Sequence, residues 1–549
     1  MAEQVARSRA GAAEPSQANG VPPGAHAKRI GLIRSRLTAE HLLALVLGLA
    51  VLAVHDVGYM LRQPFWNDEA WVAVTTRYPL SQLTATTSST PIGWSLLLRL
   101  FTVGRDQTSR MLPLAFAGLA VIVAYWLVRG LGWRGRADAI LAGILAAIGV
   151  LLVPAMLVRD DLKQYTADAC LALVVLALTS RLERDWSRRR LIALSVAVWG
   201  GMLFSDVVAF VGVAAFAALC LVQLARRAWR RLAEAAVAGA GTAVLMLCVY
   251  EAFYARAAHV LGASSYWAGY YVPLRHGLHA SLVFVTRMLG LLRADFGLGP
   301  AWLAVLLVIA GLVTIFRLDR PVTALAAAFL LPEMILLSAL KVYPFGDLRT
   351  STWLITLTAV VAAIGIGGIC ALTRQWLGGG LTAWVAVSVV AVAAVAAFGV
   401  AARPYVRDHS IPNEDVRDQV TYVAAHAAAD DVILVNLNSS FGFAYYWPHG
   451  QPGRIATSVT RQGYIPYFPG QPRIVMAPNR DLAGVSTGLR EALSRVKPGS
   501  CARVWLVRAH VISSEQAAWA KVLARAGLTP TAVGAHGLSE LQPHAAACR

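Results

Sequence analysis

Asp68 and Glu69 lie side by side in the stretch Pro64-Phe65-Trp66-Asn67-Asp68-Glu69-Ala70-Trp71, just beyond the first hydrophobic run of a chain otherwise poor in acids. Carboxylates beside a bilayer add nothing to stability, so an acidic pair there marks a functional site by default, and its simplest chemistry is that of a general base. Three further polar groups stand out. Arg159, Asp160, Asp161, Lys163, Gln164, Tyr165 and Asp168 open the fourth apolar run; Lys341, Tyr343, Asp347 and Arg349 flank the end of the ninth; Arg275, His276, Arg287 and Arg293 occupy a long loop between. A carboxylate can take the proton of a hydroxyl, while Lys and Arg can hold a departing phosphate.

The elements that must position these residues are membrane helices. Of 549 residues, 57% are hydrophobic and 14% charged, and the mean hydropathy is +0.57, far above that of a soluble globular chain. Runs long enough to cross a bilayer recur at 40–60, 109–129, 137–158, 163–181, 190–204, 207–224, 234–256, 300–316, 321–341, 350–373 and 381–402, which predicts about 11 transmembrane helices. The stretch 191–224 is interrupted only by Gly200-Gly201 and Ser205-Asp206. Orientation divides it in two. Arginines cluster at 129–136, 181–190, 226–231, 317–320 and 374, and these turns alternate as cytoplasmic ones only if two spans separate the second cluster from the third. Lys28, Arg29, Arg34 and Arg36 then place the N-terminus inside, and eleven spans leave the C-terminus outside.

The same topology explains the net charge of +19 as arginines facing anionic headgroups, with no aromatic-interleaved basic patch to suggest nucleic acid. Residues 1–38 read as a disordered cytoplasmic tail, Ala-, Gly-, Pro- and Ser-rich over 1–27, and the first apolar run as a retained signal anchor. Residues 39–402 read as the transmembrane domain with two long extracytoplasmic loops, 62–108 and 257–299; loops of that length in a compact protein carry function. Trp66, Trp71 and Trp94 are expected as headgroup-level anchors of interfacial helices, and 279–292 as an amphipathic surface helix. From 403 to 549 the composition is that of a soluble extracytoplasmic α/β domain. Strands are predicted at 431–437, 473–477 and 503–507, with helices after Asn413, near 487–496 and at 514–526. It carries no nucleotide-binding loop and no nucleophile elbow. Cys501 and Cys548 fall in this oxidising compartment and are disulfide candidates; Cys170, Cys220, Cys248 and Cys370 lie in spans. No Cys/His spacing suggests zinc, and His276 with His279 are read as surface histidines, so no metal site is indicated.

The order of a long first loop with Asp68-Glu69, then Ser89-Thr90-Pro91-Ile92-Gly93-Trp94, then Asp161-Leu162-Lys163-Gln164-Tyr165-Thr166-Ala167-Asp168, resembles bacterial glycosyltransferase family 39 and aminoarabinose-transferase-like enzymes of the C-type (GT-C) superfamily. Tyr343-Pro344-Phe345-Gly346 followed by Arg349, and the strand Arg503-Val504-Trp505-Leu506-Val507, are similar to segments of the same proteins. The resemblance implies a plasma-membrane glycosyltransferase (EC 2.4 class) in cell wall biogenesis. It would move a sugar from a polyprenyl-phosphate donor to an envelope polysaccharide, glycolipid or protein, by inverting single displacement on the outer face of the bacterial cytoplasmic membrane. By the same resemblance Asp68 is the catalytic base. Lys163 and Arg349 hold the donor phosphate. Glu69, Asp161, Gln164, Tyr165, Asp168, Arg159 and Tyr343 bind or support substrate. Asp161 departs from the Glu that relatives often carry. A phosphate monoester is a good leaving group, so no general acid is required and cationic stabilisation suffices; no cofactor is required, and a divalent metal is left open though not indicated.

Each assignment has a simpler rival. Asp68 and Glu69 can cap an interfacial helix, and Lys163 and Arg349 can be snorkelling anchors. Asp206 and Glu333, near or inside spans, suit the alternative of a polytopic transporter of a small polar solute or lipid-linked sugar. That alternative leaves the long first loop and the outer domain without a role.

Overall fold

The computed structural model describes residues 39–543 except 88–89, 103–105, 159–160, 256–264, 408, 410–413, 415 and 461. The expected tail 1–38, the candidate site residue Arg159 and the disulfide candidate Cys548 lie outside the described residues. Cys501 is disulfide-bonded. The chain divides into two compact units, 1–46 and 47–549; in the first, only the helix that begins at Ala39 is described.

A helix lies at each of the eleven expected span positions. Thr108–Arg129, Tyr165–Arg184, Val207–Ala225, Trp229–Tyr254, Pro321–Ala339, Thr352–Trp376 and Leu381–Ala402 are long and apolar enough to cross a membrane. Ala39–Val54, Arg136–Leu152, Arg188–Gly201 and Ala301–Arg317 are shorter than eighteen residues. The protein is thus a multi-pass membrane protein, and for those four helices the count of eleven rests on sequence.

Thr352–Trp376 is the centre of the bundle, with 83% of its apolar window buried against 17% for the peripheral Trp229–Tyr254. Its contact with Ala301–Arg317 is close because Gly311 and Gly365 face it. A Cβ at Gly311 would stand 2.0 Å from the Val361 carbonyl oxygen, and one at Gly365 would stand 2.3 Å from that of Leu307. Small residues at such crossings replace a hydrophobic driving force that lipid does not supply.

The bundle has two chemically different ends. At one, Arg374 donates to Asp138, with Nε to Oδ1 at 2.9 Å, and Glu183 accepts the Val322 and Thr323 amides at 2.7 and 3.1 Å. Arg129, Arg181, Arg190 and Arg320 all lie near enough to Arg184 to repel it. At the other lie Lys163 and Arg349, at the opposite ends of Tyr165–Arg184 and Thr352–Trp376 from those arginines. A 20-residue helix is about 30 Å long, so the arginine turns and the polar clusters are separated by roughly a bilayer.

The C-terminal part is a three-layer α/β fold. β1 (Val432–Val435), β4 (Ile474–Met476) and β5 (Val504–Val507) are parallel; β6 (Thr531–Ala532) and β7 (Ser539–Leu541) extend the sheet antiparallel, giving the order β4-β1-β5-β7-β6. A two-stranded ribbon, β2 (Gly453–Ala456) with β3 (Tyr464–Tyr467), stands apart. Alternation along the strands sends Val432, Leu434, Val504 and Leu506 to one face, under Leu482–Ser494 and Ser513–Arg525, and Ile433, Val435, Trp505 and Val507 to the other.

That second face is not a closed domain surface. Its core runs without a break through Val416, Phe441 and Trp447 into Phe65, Trp71, Val74, Tyr78, Trp94 and Leu98 of the first loop and on to Leu162. The expectation of tryptophan anchors at headgroup level is therefore corrected for Trp71 and Trp94. Both are buried, and Trp94 Nε1 donates to the Leu162 carbonyl at 2.8 Å. Arg77 clamps the same joint, donating to the carbonyls of Ala444, Tyr445 and Trp447 at 3.0, 2.5 and 2.9 Å. A half-amphipathic loop that had only lipid to lie on would expose such rings; here a protein face covers them.

Candidate active site

The eight-residue helix Asn67–Val74 puts Asp68 and Glu69 in its first turn, where the helix dipole favours negative charge. Successive residues on a helix diverge by about 100°, and the two carboxylates have different fates. Glu69 points into the protein, where Arg110 Nε donates to its Oε1 at 2.8 Å and a second guanidinium nitrogen holds Oε2. The same guanidinium donates to the carbonyls of Met60, Gln63 (2.8 Å) and Pro64 (3.0 Å) and lies 5.0 Å from the Phe65 ring centroid. Both side chains are essentially fully buried. This pair ties the entry of the first loop to the start of the next span.

Asp68, one residue earlier, points about 100° away from it. Its Oδ2 receives Arg349 Nη1 at 2.8 Å and Lys163 Nζ at 3.5 Å. Each cation is delivered by a short acid-capped turn. Asp161 Oδ1 accepts the Lys163 amide at 3.3 Å, and Asp347 Oδ1 accepts the amides of Arg349 and Thr350 at 3.1 Å each; such Asx turns fix the backbone where a side chain must be aimed. Trp71, one helical turn after Asp68, presents its ring 4.8 Å from Lys163 Nζ, a favourable cation–π contact. Asp68, Lys163 and Arg349 retain 13%, 9% and 20% side-chain exposure, and of the three Asp68 and Arg349 line an open cavity.

The remaining sequence candidates divide. Gln164 and Tyr165 are buried beside this cluster at the head of Tyr165–Arg184. Tyr343 donates its hydroxyl to the Thr350 carbonyl at 3.1 Å and packs edge-on to Phe210 at 5.1 Å; burial raises its phenol well above the usual range, so it stays a neutral donor. Asp168 is buried one helical turn deeper, within electrostatic reach of Asp206. Arg275, His276, Arg287 and Arg293 are exposed within the segment 257–299 and do not join the cluster. Among the described residues no three His, Cys, Asp or Glu side chains converge as a metal site.

A cavity of about 230 Å³ opens over Asp68. Its lining includes Trp66, Asn67, Trp71 and Arg349, together with Asn438, Phe441, Thr460, Gln462, Arg480 and His510 from the C-terminal part. None of these six was singled out from the sequence, and neither was Arg110. Arg110 had a signal, being a charge at the head of an apolar run. The others had none, because amides and a lone histidine in a soluble α/β fold are unremarkable until the fold brings them to a carboxylate. The Glu414 carboxylate, 2.5 Å from His510 Nδ1, raises the imidazole above its ordinary range, with partial burial opposing and Asp68 adding to the rise.

No family model and no curated protein sequence matches the chain. Among solved structures, ArnT from Cupriavidus metallidurans bound to undecaprenyl phosphate superposes with a TM-score of 0.51 at 13% identity, over 93% of this chain and 99% of that one. The same enzyme in the apo state gives 0.49 at 14% identity, over 94% and 99%. The archaeal oligosaccharyltransferase AglB from Archaeoglobus fulgidus, in complex with an inhibitory peptide and a dolichol-phosphate, gives 0.49 at 12% identity over 85% of this chain and 68% of that one. At such identities only the fold is shared. Over 93% of its length this chain shares the GT-C-like fold of ArnT.

Proposed function

We propose that this protein is a membrane glycosyltransferase that moves a sugar from a polyprenyl-phosphate donor to a hydroxyl of a cell-envelope acceptor, on the outer face of a bacterial cytoplasmic membrane. The observation that carries the reading is the meeting of two cations, Lys163 and Arg349, at one oxygen of the Asp68 carboxylate, the three side chains coming from three separate segments. The ArnT structure of the same fold holds undecaprenyl phosphate, which supports a donor of that class. The concentration of arginine turns at the far end of the bundle supports cytoplasmic loops there and the reacting cluster outside.

In the reaction, the donor phosphate enters beside Lys163 and Arg349 and competes with Asp68 for both. The acceptor hydroxyl approaches from the cavity. Asp68 takes its proton as the acceptor oxygen forms a bond to the anomeric carbon from the face opposite the leaving group. The bond between that carbon and the phosphate oxygen breaks, its electron pair leaves on the lipid phosphate, and the anomeric configuration inverts. Lys163 and Arg349 neutralise the charge that develops, so no general acid is needed. Arg349 suits the task because its planar fork matches phosphate oxygens, and Lys163 serves as a point charge.

The test is binding before turnover. Purified protein in lipid nanodiscs is expected to gain thermal stability with polyprenyl phosphate, since a ligand that binds only the folded state stabilises it, and to transfer sugar from lipid-linked donors. Solute transport into vesicles with no stabilisation by any polyprenyl phosphate would overturn the reading. Arg349→Gln removes a charge-assisted bond of about 1.5–3 kcal/mol. It is expected to weaken the Kd for polyprenyl phosphate by about 10- to 100-fold, measured by titration in the same nanodiscs.

A further inference from the structure

The helix that bears Asp68 has no cap of its own. Trp66 stands at its N-cap and offers no side-chain acceptor, yet the first amides of a helix need one. The acceptor arrives from 347 residues away: Glu414 Oε2 takes the Asn67 N–H at 2.6 Å. The other oxygen, Oε1, pairs with His510 Nδ1 at 2.5 Å. Glu414 is 9% exposed and His510 39%. His510 in turn is held in the left-handed region, at φ 50°, where a non-glycine residue persists only when its surroundings demand it. Asn438 Nδ2 donates to the His510 carbonyl at 2.8 Å, and both residues line the cavity over Asp68.

We infer that Glu414 and His510 are positioning residues for Asp68: a cap supplied by the C-terminal part, which makes its docking a condition for correct placement of the base. The inference rests on the reading of Asp68 as that base. Asp68 is the second residue of the capped helix, so the Asn67 amide anchors the turn from which its carboxylate is aimed at Arg349 and the cavity. A carboxylate cap satisfies the orphan amide and complements the helix dipole. It also sets a second negative charge beside Asp68. The imidazole opposes that charge, and the charged groups within electrostatic reach of His510 are Glu414, Asp68, Arg480 and Glu515, with Arg349 also lining the cavity. Because Glu414 raises the imidazole's protonation in the folded state, the ion pair is complete below the ordinary histidine range and lost as pH rises through the folded value.

The test uses full-length protein in nanodiscs and two independent readouts. Glu414→Ala is expected to speed hydrogen exchange in 67–74 about five- to tenfold, the loss typical of a removed cap. Exchange in the central helix Thr352–Trp376 should not change. Glu414→Gln keeps one carbonyl oxygen for the Asn67 amide and is expected to restore most of the protection. In the wild type, protection of 67–74, corrected for intrinsic exchange, should fall as pH rises through the histidine titration; in His510→Gln that dependence should vanish. In transfer assays Glu414→Ala should lower kcat about as much as it loosens the helix, with donor KM within twofold. Unchanged exchange in 67–74 in Glu414→Ala overturns the positioning role, whatever the activity. Faster exchange with an unchanged kcat per folded molecule also overturns it and leaves the glycosyltransferase reading intact. A wild type that transfers no sugar removes the reading of Asp68, and the positioning inference falls with it.

Discussion

Asp68→Asn is expected to lower kcat for sugar transfer by about 10²–10⁴-fold, the usual range for a removed general base. Asparagine keeps the size of the side chain and an oxygen that can accept from Arg349, but it cannot take a proton at neutral pH. The sign of the accompanying change in donor binding makes the result specific. Asp68 pairs with Arg349 Nη1 at 2.8 Å and with Lys163 Nζ at 3.5 Å, so it competes with the donor phosphate for both cations. Removing its charge should leave the Kd for polyprenyl phosphate equal to or tighter than that of the wild type, while Arg349→Gln weakens it. A loss of turnover with retained donor binding separates the base from the phosphate site. Turnover at the wild-type rate in Asp68→Asn would remove the base assignment altogether.

The second large effect is on stability. Arg110→Met should destabilise the protein by about 3–5 kcal/mol, because it leaves the Glu69 carboxylate buried without its cation. Arg110 is fully buried and also serves the carbonyls of Met60, Gln63 and Pro64, so its loss strands several acceptors at once. Methionine fills much of the same volume, which keeps a cavity from adding to the cost. Adding Glu69→Gln should recover part of the loss by removing the uncompensated charge. The coupling is measured by a double-mutant cycle on denaturant or thermal unfolding in one detergent. Additive effects of the two substitutions would show that the pair does not act as a unit.

Helices at all eleven expected positions were legible because a span needs about twenty consecutive apolar residues, a property of local sequence alone. Parting the apolar stretch 191–224 into Arg188–Gly201 and Val207–Ala225 was likewise readable, from Gly200-Gly201, Ser205-Asp206 and the alternation of arginines. In the C-terminal part the buried strands and long amphipathic helices were legible, since their periodicity is dictated by burial on the sheet. Ser440–Tyr446, the ribbon of β2 and β3, and the edge strands β6 and β7 were not. They are two to seven residues long, too short to show a period, and several owe their place to the first loop rather than to their own pattern. The tryptophans were misread for the same reason. An aromatic residue near a membrane boundary has one composition whether lipid headgroups or a protein face cover it.

The sequence by itself determined the membrane bundle, the separation of basic turns from the polar clusters, and the residue types for proton transfer and phosphate binding. Those follow from local hydropathy and side-chain chemistry, which need no partner. Only the tertiary structure decided how they combine. It brought Asp68 to Lys163 and Arg349 across 95 and 281 residues, turned Glu69 inward to Arg110, and set the C-terminal Glu414 at the head of the helix that carries Asp68. Adjacent carboxylates on a helix point about 100° apart, so what each can do depends on which distant segment comes to face it.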